Sequence, residues 1–458
     1  METLKLSQHA VLRQETFGGL LFDRATWHIR ELNPTAYELL SELEQNPCTL
    51  SDFIALAKAR YGDISVAEQQ EIEAFLRSCQ KLGLLACEES GLEEKGTWAC
   101  DHHTMRKSAT YQTPSSITRH LSAPISCWWD ITAICNLKCK QCYSSSGKKL
   151  RDELSSDEVY KILGMMAAMK VFFVYFLGGE PLLREDFLDI LARCRDLGLE
   201  VMMGTNGWFV TPEIAKQLSN LGVRHVRVSI DGATSEVHDS IRGRIGSFNK
   251  AVSAVHYLKE AGIPLVGVSP TIMAENFHEA EAMIDRAFKL GANEIQLGQI
   301  CEVGRASDQG ALNADQINNL RGLLLRKRKE YNSQFLISGS EGIYHEKPYY
   351  RRVLNGELMP TIMGCGAGRS VLAIGPSGKV RACLLYKYEI GDLRTHTLEE
   401  LWEGEGFENL SLLRSVKSGC EGCNYSAVCS GPCPMEEIVS EEERKCFVSR
   451  KELSDVRV

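Results

Sequence analysis

The sequence predicts an α/β fold in which a parallel sheet lies between a small N-terminal α+β domain and a cysteine-dense C-terminal segment. Three observations support this prediction. Residues 123–335 alternate compact apolar runs with amphipathic stretches, which is the pattern of successive βαβ units. Short strand signals followed by helix signals precede this region, and seven of the 17 cysteines follow it.

The composition excludes several classes of protein. The chain has 458 residues, of which 44% are hydrophobic and 24% charged, as in globular proteins of two or three domains. A net charge of −8 disfavours binding to nucleic acid or to anionic membranes, and we expect neither as a partner. Residues 1–10 lack a signal-peptide core, and no apolar run reaches membrane-spanning length, so we expect a cytoplasmic protein. Clustered cysteines in the cytoplasm more often bind metal or act in redox chemistry than form disulfides.

Residues 1–85 predict a domain of three strands followed by three helices, which is typical of a winged-helix-like unit. In its third helix the residues Ile72, Phe75, Leu76 and Cys79 recur at helical spacing and predict one buried face. The predicted strands are 11–17, 20–22 and 27–32, and the predicted helices are 33–43, 49–62 and 66–82.

Residues 86–122 show little periodicity and are predicted to be a linker. The region 123–335 then predicts a parallel sheet, either open or closed into a barrel, with functional side chains where the strands end. A bridging segment, 336–364, and the cysteine-rich segment, 365–458, complete the predicted organisation. The predicted strands are 126–132, 171–177, 199–204, 225–230, 264–269 and 294–297. The predicted helices are 155–169, 185–197, 212–221, 247–261, 278–290 and 314–330.

Cys135, Cys139 and Cys142 follow the first predicted strand with the spacing C-x-x-x-C-x-x-C. Three thiolates on so short a loop can hold one [4Fe–4S] cluster and leave its fourth iron for a small molecule. A zinc site is the alternative, but zinc prefers four ligands and no fourth candidate follows closely in the sequence.

This spacing resembles that of the radical S-adenosylmethionine (SAM) superfamily, whose fold is a partial (β/α)6 barrel. The sequence Gly178-Gly179-Glu180-Pro181, at the end of the second predicted strand, is similar to the GGEP motif of that family. The resemblance implies that Gly178, Gly179 and Glu180 receive the methionyl amino group of SAM. Glycine permits close approach of a ligand, and a carboxylate suits an ammonium group.

The ends of the third and fourth predicted strands continue the resemblance. By the family pattern, polar residues there line the SAM pocket, and a guanidinium is suited to the SAM carboxylate. The candidates are Thr205, Asn206, Ser229, Asp231 and Arg242.

The resemblance also implies the chemistry. A reduced cluster passes one electron to SAM, and the resulting 5′-deoxyadenosyl radical abstracts hydrogen from an unactivated carbon, so the cofactors carry the difficult step. An electron donor such as ferredoxin or flavodoxin is therefore an expected partner. The sequence identifies no general base.

The C-terminal cysteines resemble the SPASM extension of radical SAM enzymes, which carries two auxiliary [4Fe–4S] clusters and brings the expected total to three. Alone, the run C-x2-C-x5-C would also be compatible with zinc. The family pattern assigns Cys420, Cys423, Cys429 and Cys446 to the outer cluster. It leaves Cys365, Cys383 and Cys433 for the inner one. Seven cysteines cannot supply the eight ligands of two clusters, so the inner cluster is expected to keep one open iron.

Two departures separate this sequence from sulfatase-maturing relatives. Those enzymes have an extra cysteine in the stretch that corresponds to residues 366–382, and an aspartate where this chain has Leu384. Both differences argue against formylglycine formation. We hypothesise instead that the open iron of the inner cluster coordinates a substrate thiolate.

The N-terminal domain resembles the peptide-recognition element of enzymes that modify ribosomally made peptides, and is similar to the small chaperone of pyrroloquinoline quinone biosynthesis. Its third predicted strand, around 27–31, would offer an edge to which a leader peptide adds as a further strand. A DNA-binding winged helix is the alternative, but the acidic residues Glu68, Glu71 and Glu73 on the third helix disfavour phosphate contact.

These observations predict a radical SAM enzyme that modifies a precursor peptide after binding its leader. We favour a thioether between a cysteine sulfur and a carbon of another residue, because an open auxiliary iron can hold that sulfur. Carbon–carbon crosslinking of side chains is the alternative within the class. The alternative from another class is a zinc-binding winged-helix regulator without enzymatic activity.

Overall fold

The structure, a computed structural model, describes residues 3–87, 121–308, 310–339 and 366–408. The chain forms two compact units, of which the first contains the described residues up to 87 and the second contains those from 121 onward. Most of the predicted linker 86–122 lies outside the described residues, as does most of the bridging segment 336–364. No helix in the described ranges is long and apolar enough to cross a membrane.

The first unit contains the three predicted strands and the three predicted helices, together with a second small sheet. Strands β2, β3 and β4 form an antiparallel sheet in that order, and a separate antiparallel sheet has the order β5-β1-β6. The second sheet was not predicted, because strands of two to four residues show no alternation. The elements are β1 Thr3–Leu6, β2 Ala10–Glu15, β3 Gly18–Asp23, β4 His28–Leu32, α1 Pro34–Gln45, β5 Cys48–Thr49, α2 Leu50–Tyr61, α3 Val66–Lys81 and β6 Leu85–Cys87.

Side-chain caps explain where these helices begin. Asn33 caps α1, while α2 and α3 each open on a capping box, in which Thr49 pairs with Asp52 and Ser65 pairs with Glu68. The apolar faces of the helices share one core with the strands. Members of this core include Leu12, Leu21, Leu40, Leu43, Phe53, Leu76 and Cys79.

The second unit is built on a parallel sheet that contains all six predicted strands. Its order is β14-β13-β11-β10-β9-β8-β7, and the short strand β12 also pairs with β13. The strands are β7 Ser126–Asp130, β8 Phe173–Leu177, β9 Glu200–Thr205, β10 His225–Val228, β11 Leu265–Val268, β12 Thr271–Ile272, β13 Glu294–Gln299 and β14 Leu336–Gly339. The helices are α4 Ser156–Ala168, α5 Phe187–Asp196, α6 Pro212–Asn220, α7 Ser235–Arg242, α8 Ser247–Glu260, α9 Ala280–Lys289 and α10 Ala314–Tyr331. Strand β14 falls in the segment predicted as a bridge.

The two faces of this sheet differ in chemistry. One face packs on the helices through residues such as Val174, Val201 and Val226, which are fully or almost fully buried. The other face carries a polar network, in which the Glu294 carboxylate lies 2.7 Å from His225 Nε2 and accepts a hydrogen bond from Arg227 Nε at 2.6 Å. Burial raises the pKa of Glu294, but these partners outweigh it and lower the pKa to about 2.

The C-terminal segment joins the same sheet. Strand β15 pairs in parallel with β7, and β16 and β17 continue the sheet in antiparallel fashion. The Trp402 indole donates to Leu121 O at 2.6 Å, and Arg394 pairs with Glu158 of α4 at 2.7 Å. Its elements are β15 Val371–Ile374, β16 Lys379–Arg381, β17 Gly391–Asp392, α11 Leu398–Glu403 and α12 Glu405–Glu408. The described part of this segment, 366–408, thus combines short strands and helices with longer loops.

Candidate active site

Residues 135–147, here called the thiol loop, follow the carboxyl end of β7 and carry the thiols of Cys135, Cys139 and Cys142. Cys139 is buried, whereas Cys135 and Cys142 are half-buried, and the three are close enough for their charges to interact. Burial is the main cause that raises the pKa of the Cys135 thiol to about 11. No three His, Cys, Asp or Glu side chains in the described ranges are gathered around one metal-ion position.

Backbone pairing and one carboxylate hold the base of this thiol loop. Cys135 N donates to Gly147 O at 3.1 Å, and Gly147 N donates to Ala133 O at 2.8 Å. Glu153 accepts hydrogen bonds from Thr132 Oγ1 at 3.0 Å and from Ala133 N at 2.9 Å. The two ends of the loop are therefore tied to each other before any ligand binds.

Arg305, which follows β13, holds the thiol loop through three hydrogen bonds. Its guanidinium donates to Cys139 O at 3.0 Å and to Ser146 O at 2.8 Å, and its amide donates to Cys142 O at 3.0 Å. The preceding Gly304 has φ 67°, and a Cβ there would lie 2.3 Å from Tyr143 O, so only glycine fits. Sequence reasoning missed both residues, because no motif contains them.

Gly178 and Gly179, at the end of β8, lie directly against the start of the thiol loop. A Cβ on Gly178 would be 2.5 Å from Thr132 O, and one on Gly179 would be 1.9 Å from Ile134 O. The amides of Gly179 and Glu180 donate to these same carbonyls at 2.8 and 2.7 Å. The two glycines are thus required for contact between the loops, in addition to any contact with a ligand.

Glu180 is a fully buried carboxylate beside the thiol loop. It accepts hydrogen bonds from Thr205 Oγ1 and Asn206 N, both at 2.8 Å, and from Leu182 N at 3.3 Å. No Lys, Arg or His in the described ranges lies within ion-pair distance of it. Burial raises its pKa to about 7 in spite of the three donors. An incoming ammonium group would therefore find a buried carboxylate that has no ion-pair partner in the described ranges, although the charge of Arg242 already lowers its pKa slightly.

Asn206 connects the end of β9 to the thiol loop. Its Nδ2 donates to Asn136 Oδ1 at 2.8 Å and lies 3.9 Å from Cys135 Sγ. Asn136 Nδ2 is itself buried without a hydrogen-bond partner, which leaves a donor available at this position. Ser229 follows β10 and is half-buried, and its amide donates to Thr205 O at 2.9 Å.

Asp231 and Arg242 form a buried ion pair on the other side of the loop, with 2.5 Å between Oδ2 and Nε. Gln141 Nε2 donates to the same oxygen at 2.6 Å, and Arg242 Nη1 lies 3.6 Å from Cys139 Sγ. Burial lowers the pKa of Arg242, but Asp231 and Cys139 outweigh it and raise the pKa. The structure thus engages Arg242 with the loop, and its assignment to the SAM carboxylate remains a prediction.

All three thiols of the loop and all eight residues predicted to bind SAM therefore lie at one end of the sheet. Of the predicted auxiliary ligands, only Cys383 lies in the described ranges. It is half-buried and follows β16, and the next residue, Leu384, is buried. The other predicted auxiliary ligands are outside the described residues: Cys365, Cys420, Cys423, Cys429, Cys433 and Cys446.

Comparison with known proteins agrees with this arrangement. The model of the radical SAM superfamily matches residues 129–287, that of the SPASM iron–sulfur cluster-binding domain matches 365–424, and that of coenzyme PQQ synthesis protein D (PqqD) matches 18–85. Mycofactocin maturase MftC of Mycobacterium tuberculosis is 34% identical over 325 residues, which cover 69% of this chain and 79% of that protein. The chain belongs to the radical SAM/SPASM peptide maturases.

Two further relatives show the breadth of the similarity. The AdoMet-dependent heme synthase of Methanosarcina barkeri is 28% identical to the present chain over 326 residues, which cover 68% of this chain and 91% of that protein. The crystal structure of Streptococcus suis SuiB bound to precursor peptide SuiA superposes with a TM-score of 0.70 at 17% identity, covering 96% and 97% of the two chains. At that identity the structural match shows the fold. The predicted fold class is confirmed, and membership of an enzyme family argues against the zinc-binding regulator.

Arg305→Ala should loosen the thiol loop of the maturase without unfolding the sheet. Because two guanidinium hydrogen bonds to loop carbonyls are lost, amide exchange in residues 135–147 should accelerate by about tenfold in hydrogen–deuterium exchange. Exchange in β9 and β10 should not change.

Arg195→Ala is the matched control, because Arg195 is exposed and, among the residues that the structure describes, pairs only with the adjacent Asp196. Equal exchange of the loop in both variants would contradict the role given to Arg305.

Proposed function

We propose that this maturase joins a cysteine sulfur of a ribosomally made precursor peptide to a carbon of another residue of that peptide, forming an intramolecular thioether. The observation that carries the radical part of the proposal is the meeting of three thiols and the unpaired Glu180 carboxylate at one end of the sheet. The buried Leu384, beside Cys383, supports sulfur chemistry over formylglycine formation, because no carboxylate stands there.

Cys135, Cys139 and Cys142 would hold a [4Fe–4S] cluster, since three thiolates on one loop are the donor set that such a cluster requires. When bound, the cluster and SAM supply the one-electron cleavage that yields a 5′-deoxyadenosyl radical. Two groups partly offset the rise in thiol pKa that burial causes: Leu137 N donates to Cys135 Sγ at 3.4 Å, and the Arg242 guanidinium lies beside Cys139. A cation and amide donors favour the anionic form of a thiol.

Glu180 would accept hydrogen bonds from the SAM ammonium group, while Gly178 and Gly179 keep the backbone close to the loop. Thr205 and Asn206 would orient that carboxylate through the hydrogen bonds that they already donate to it. Ser229, at the end of β10, would contribute a further polar side chain to the SAM pocket. Asp231 would act indirectly, by fixing Arg242 and Gln141.

Two auxiliary clusters, the inner one with an open iron, form a further part of the proposal. Seven C-terminal cysteines are one short of the eight that two fully ligated clusters need. A substrate thiolate at that position would be the sulfur donor of the thioether. Forming the bond also releases one electron to an acceptor, and the auxiliary clusters would accept it.

The PqqD-type domain would bind the leader of the precursor. Strand β4 lies at the edge of the β2-β3-β4 sheet, and among the described residues no strand pairs with its outer side. The Arg30 side chain on β4 is close enough to Cys79 of α3 to lower that thiol's pKa, although burial raises it overall. The exposed edge of β4 suits the addition of a peptide strand, with α3 nearby.

Glu180→Gln should weaken SAM binding roughly thirtyfold, because a charge-assisted hydrogen bond contributes about 2 kcal/mol. In the unmodified protein, SAM affinity should rise between about pH 6 and about pH 8, because the Glu180 carboxyl, with a pKa of about 7, loses its proton. The variant should lack this rise. Equilibrium dialysis of labelled SAM against the anaerobically reconstituted protein measures both effects.

Glu213→Gln is the control for charge, since Glu213 is an exposed residue of the first turn of α6. The assignment of Glu180 would be refuted if Glu180→Gln bound SAM as tightly as the unmodified protein and if the SAM affinity of the unmodified protein did not change with pH.

A synthetic leader segment of the candidate precursor should slow amide exchange in residues 25–32 by about tenfold at saturation, because strand addition satisfies edge amides. Exchange in α2 is the internal control and should stay constant. Binding with protection confined to β1, β5 and β6 would place the leader on the other sheet instead.

The modified peptide distinguishes the two kinds of crosslink. Both lose a pair of hydrogen atoms, but only a thioether blocks alkylation of the cysteine, so we expect a product that resists iodoacetamide. Fragmentation by mass spectrometry should place the missing mass on the cysteine and its partner residue. A product whose cysteine is still fully alkylated by iodoacetamide would indicate carbon–carbon crosslinking and would refute the thioether proposal.

A further inference from the structure

Arg30 of β4 carries a positive charge that no group in the described residues neutralises. Its Nε is buried without a hydrogen-bond partner, and no carboxylate of the described ranges forms an ion pair with it. A buried donor without an acceptor is unfavourable, because it has lost water without gaining a partner. Such a group gains most from a ligand that brings an anionic acceptor.

The register of the β2-β3-β4 sheet places Arg30 on the face that packs on the core. Arg30 lies opposite Leu21 of β3, which lies opposite Leu12 of β2, and both leucines belong to the buried core of this unit. Arg30 is also close enough to Cys79 of α3 for its charge to lower that thiol's pKa, which burial raises overall. The guanidinium is therefore near α3, on a strand whose outer side pairs with no other strand of the described ranges.

We propose that Arg30 recognises one acidic side chain, Asp or Glu, of the leader segment that adds to β4. This inference rests on the proposed binding of a leader by the PqqD-type domain. The whole chain has a net charge of −8, which by itself disfavours an acidic ligand. A local cation without a partner is the feature that makes an acidic residue favourable at this position.

Strand addition would bring such a side chain to the guanidinium. In a strand paired with β4, the residue directly opposite Arg30 has its Cβ about 5 Å from the Arg30 Cβ and points to the same face of the sheet. A carboxylate there can accept two parallel hydrogen bonds from a guanidinium, one of them from Nε. Because Nε is already buried, this charge-assisted bond would form away from bulk water, where it is stronger.

Glu31 makes this recognition depend on register. It lies opposite Leu20 of β3, and its side chain points to the other face of β4, because side chains alternate along a strand. An acidic leader residue that faces Arg30 is attracted. A slip of one residue would move the same carboxylate to the face of Glu31, where like charges repel. The pair Arg30-Glu31 therefore selects one register as well as one charge.

Fluorescence anisotropy of the labelled synthetic leader with the full-length protein tests the recognition. The leader is made unmodified and as a series in which each Asp or Glu is changed singly to its amide. One amide peptide should bind the unmodified protein about tenfold more weakly than the parent leader. Arg30→Met, which keeps the apolar part of the side chain, should bind the parent leader about tenfold more weakly and should not distinguish it from that amide peptide.

Arg60→Met is the matched control. Arg60 is exposed on α2, where it pairs with Glu38 and Glu42, so its loss should change the dissociation constant of the leader by less than about twofold. Exchange of the two charges is the converse test. Arg30→Glu should bind a leader with lysine at the identified position more tightly than it binds the parent leader.

Thermal unfolding without leader separates recognition from a structural role. Because no described group bonds to Arg30 Nε, Arg30→Met should unfold at the same temperature as the unmodified protein or at a higher one. A lower unfolding temperature together with unchanged leader affinity would show that Arg30 serves the fold and would overturn the proposal.

Two further outcomes would overturn it. If every amide peptide bound the unmodified protein as tightly as the parent leader, no acidic side chain would be recognised. If the leader protected residues 25–32 from exchange but bound Arg30→Met normally, the role of Arg30 alone would fail and the proposed leader site would stand. A leader that bound without protecting residues 25–32 would refute both. Alkylation of the product tests the proposed crosslink separately.

Discussion

The buried ion pair between Asp231 and Arg242 is the interaction on which the thiol loop depends. Asp231 is fully buried and holds three segments at once: α7 through Arg242, the loop through Gln141, and β12 through the amide of Thr271. Removing either partner would leave a buried charge without compensation, a cost of about 3–5 kcal/mol. Because Arg242 also faces Cys139, the same pair fixes the loop next to that thiol, and the guanidinium partly offsets the rise in the Cys139 pKa that burial causes.

Opposite charges flank the loop and differ in how they are satisfied. Arg242 has Asp231 and Cys139 as partners, whereas the hydrogen-bond donors of Glu180 are uncharged, and together with the charge of Arg242 they do not offset its burial. A carboxylate in this state gains most from a ligand that brings a positive charge. The amino-acid end of SAM carries an ammonium group, and the proposed function assigns it to the Glu180 side of the loop.

Periodicity and motif position predicted the parallel strands and the meeting of Cys135, Glu180 and Asn206, because strand ends in a parallel sheet meet at one edge. Short elements escaped prediction: β14 and β15 are four-residue strands whose pairing with β13 and β7 depends on distant partners. Arg305 escaped because its role is to reach loop carbonyls, for which no residue pattern exists. The glycines of the Gly-Gly-Glu motif were expected to permit close approach of a ligand. The structure adds that they also permit close contact with the backbone carbonyl oxygens of Thr132 and Ile134.

Strand β7 explains how one sheet organises both parts of the proposed chemistry. The thiol loop leaves its carboxyl end, β8 with the Gly-Gly-Glu turn pairs on one side, and β15 pairs on the other. Cys383 follows β16, which is hydrogen-bonded to β15. Pro376 lies in the turn between these two strands, and its carbonyl oxygen accepts a hydrogen bond from Leu154 N at 2.9 Å. The described part of the C-terminal segment, 366–408, is therefore anchored to the strand that carries the thiol loop. A peptide held between the two would be constrained by the same sheet at the carbon that loses hydrogen and at the sulfur that joins it.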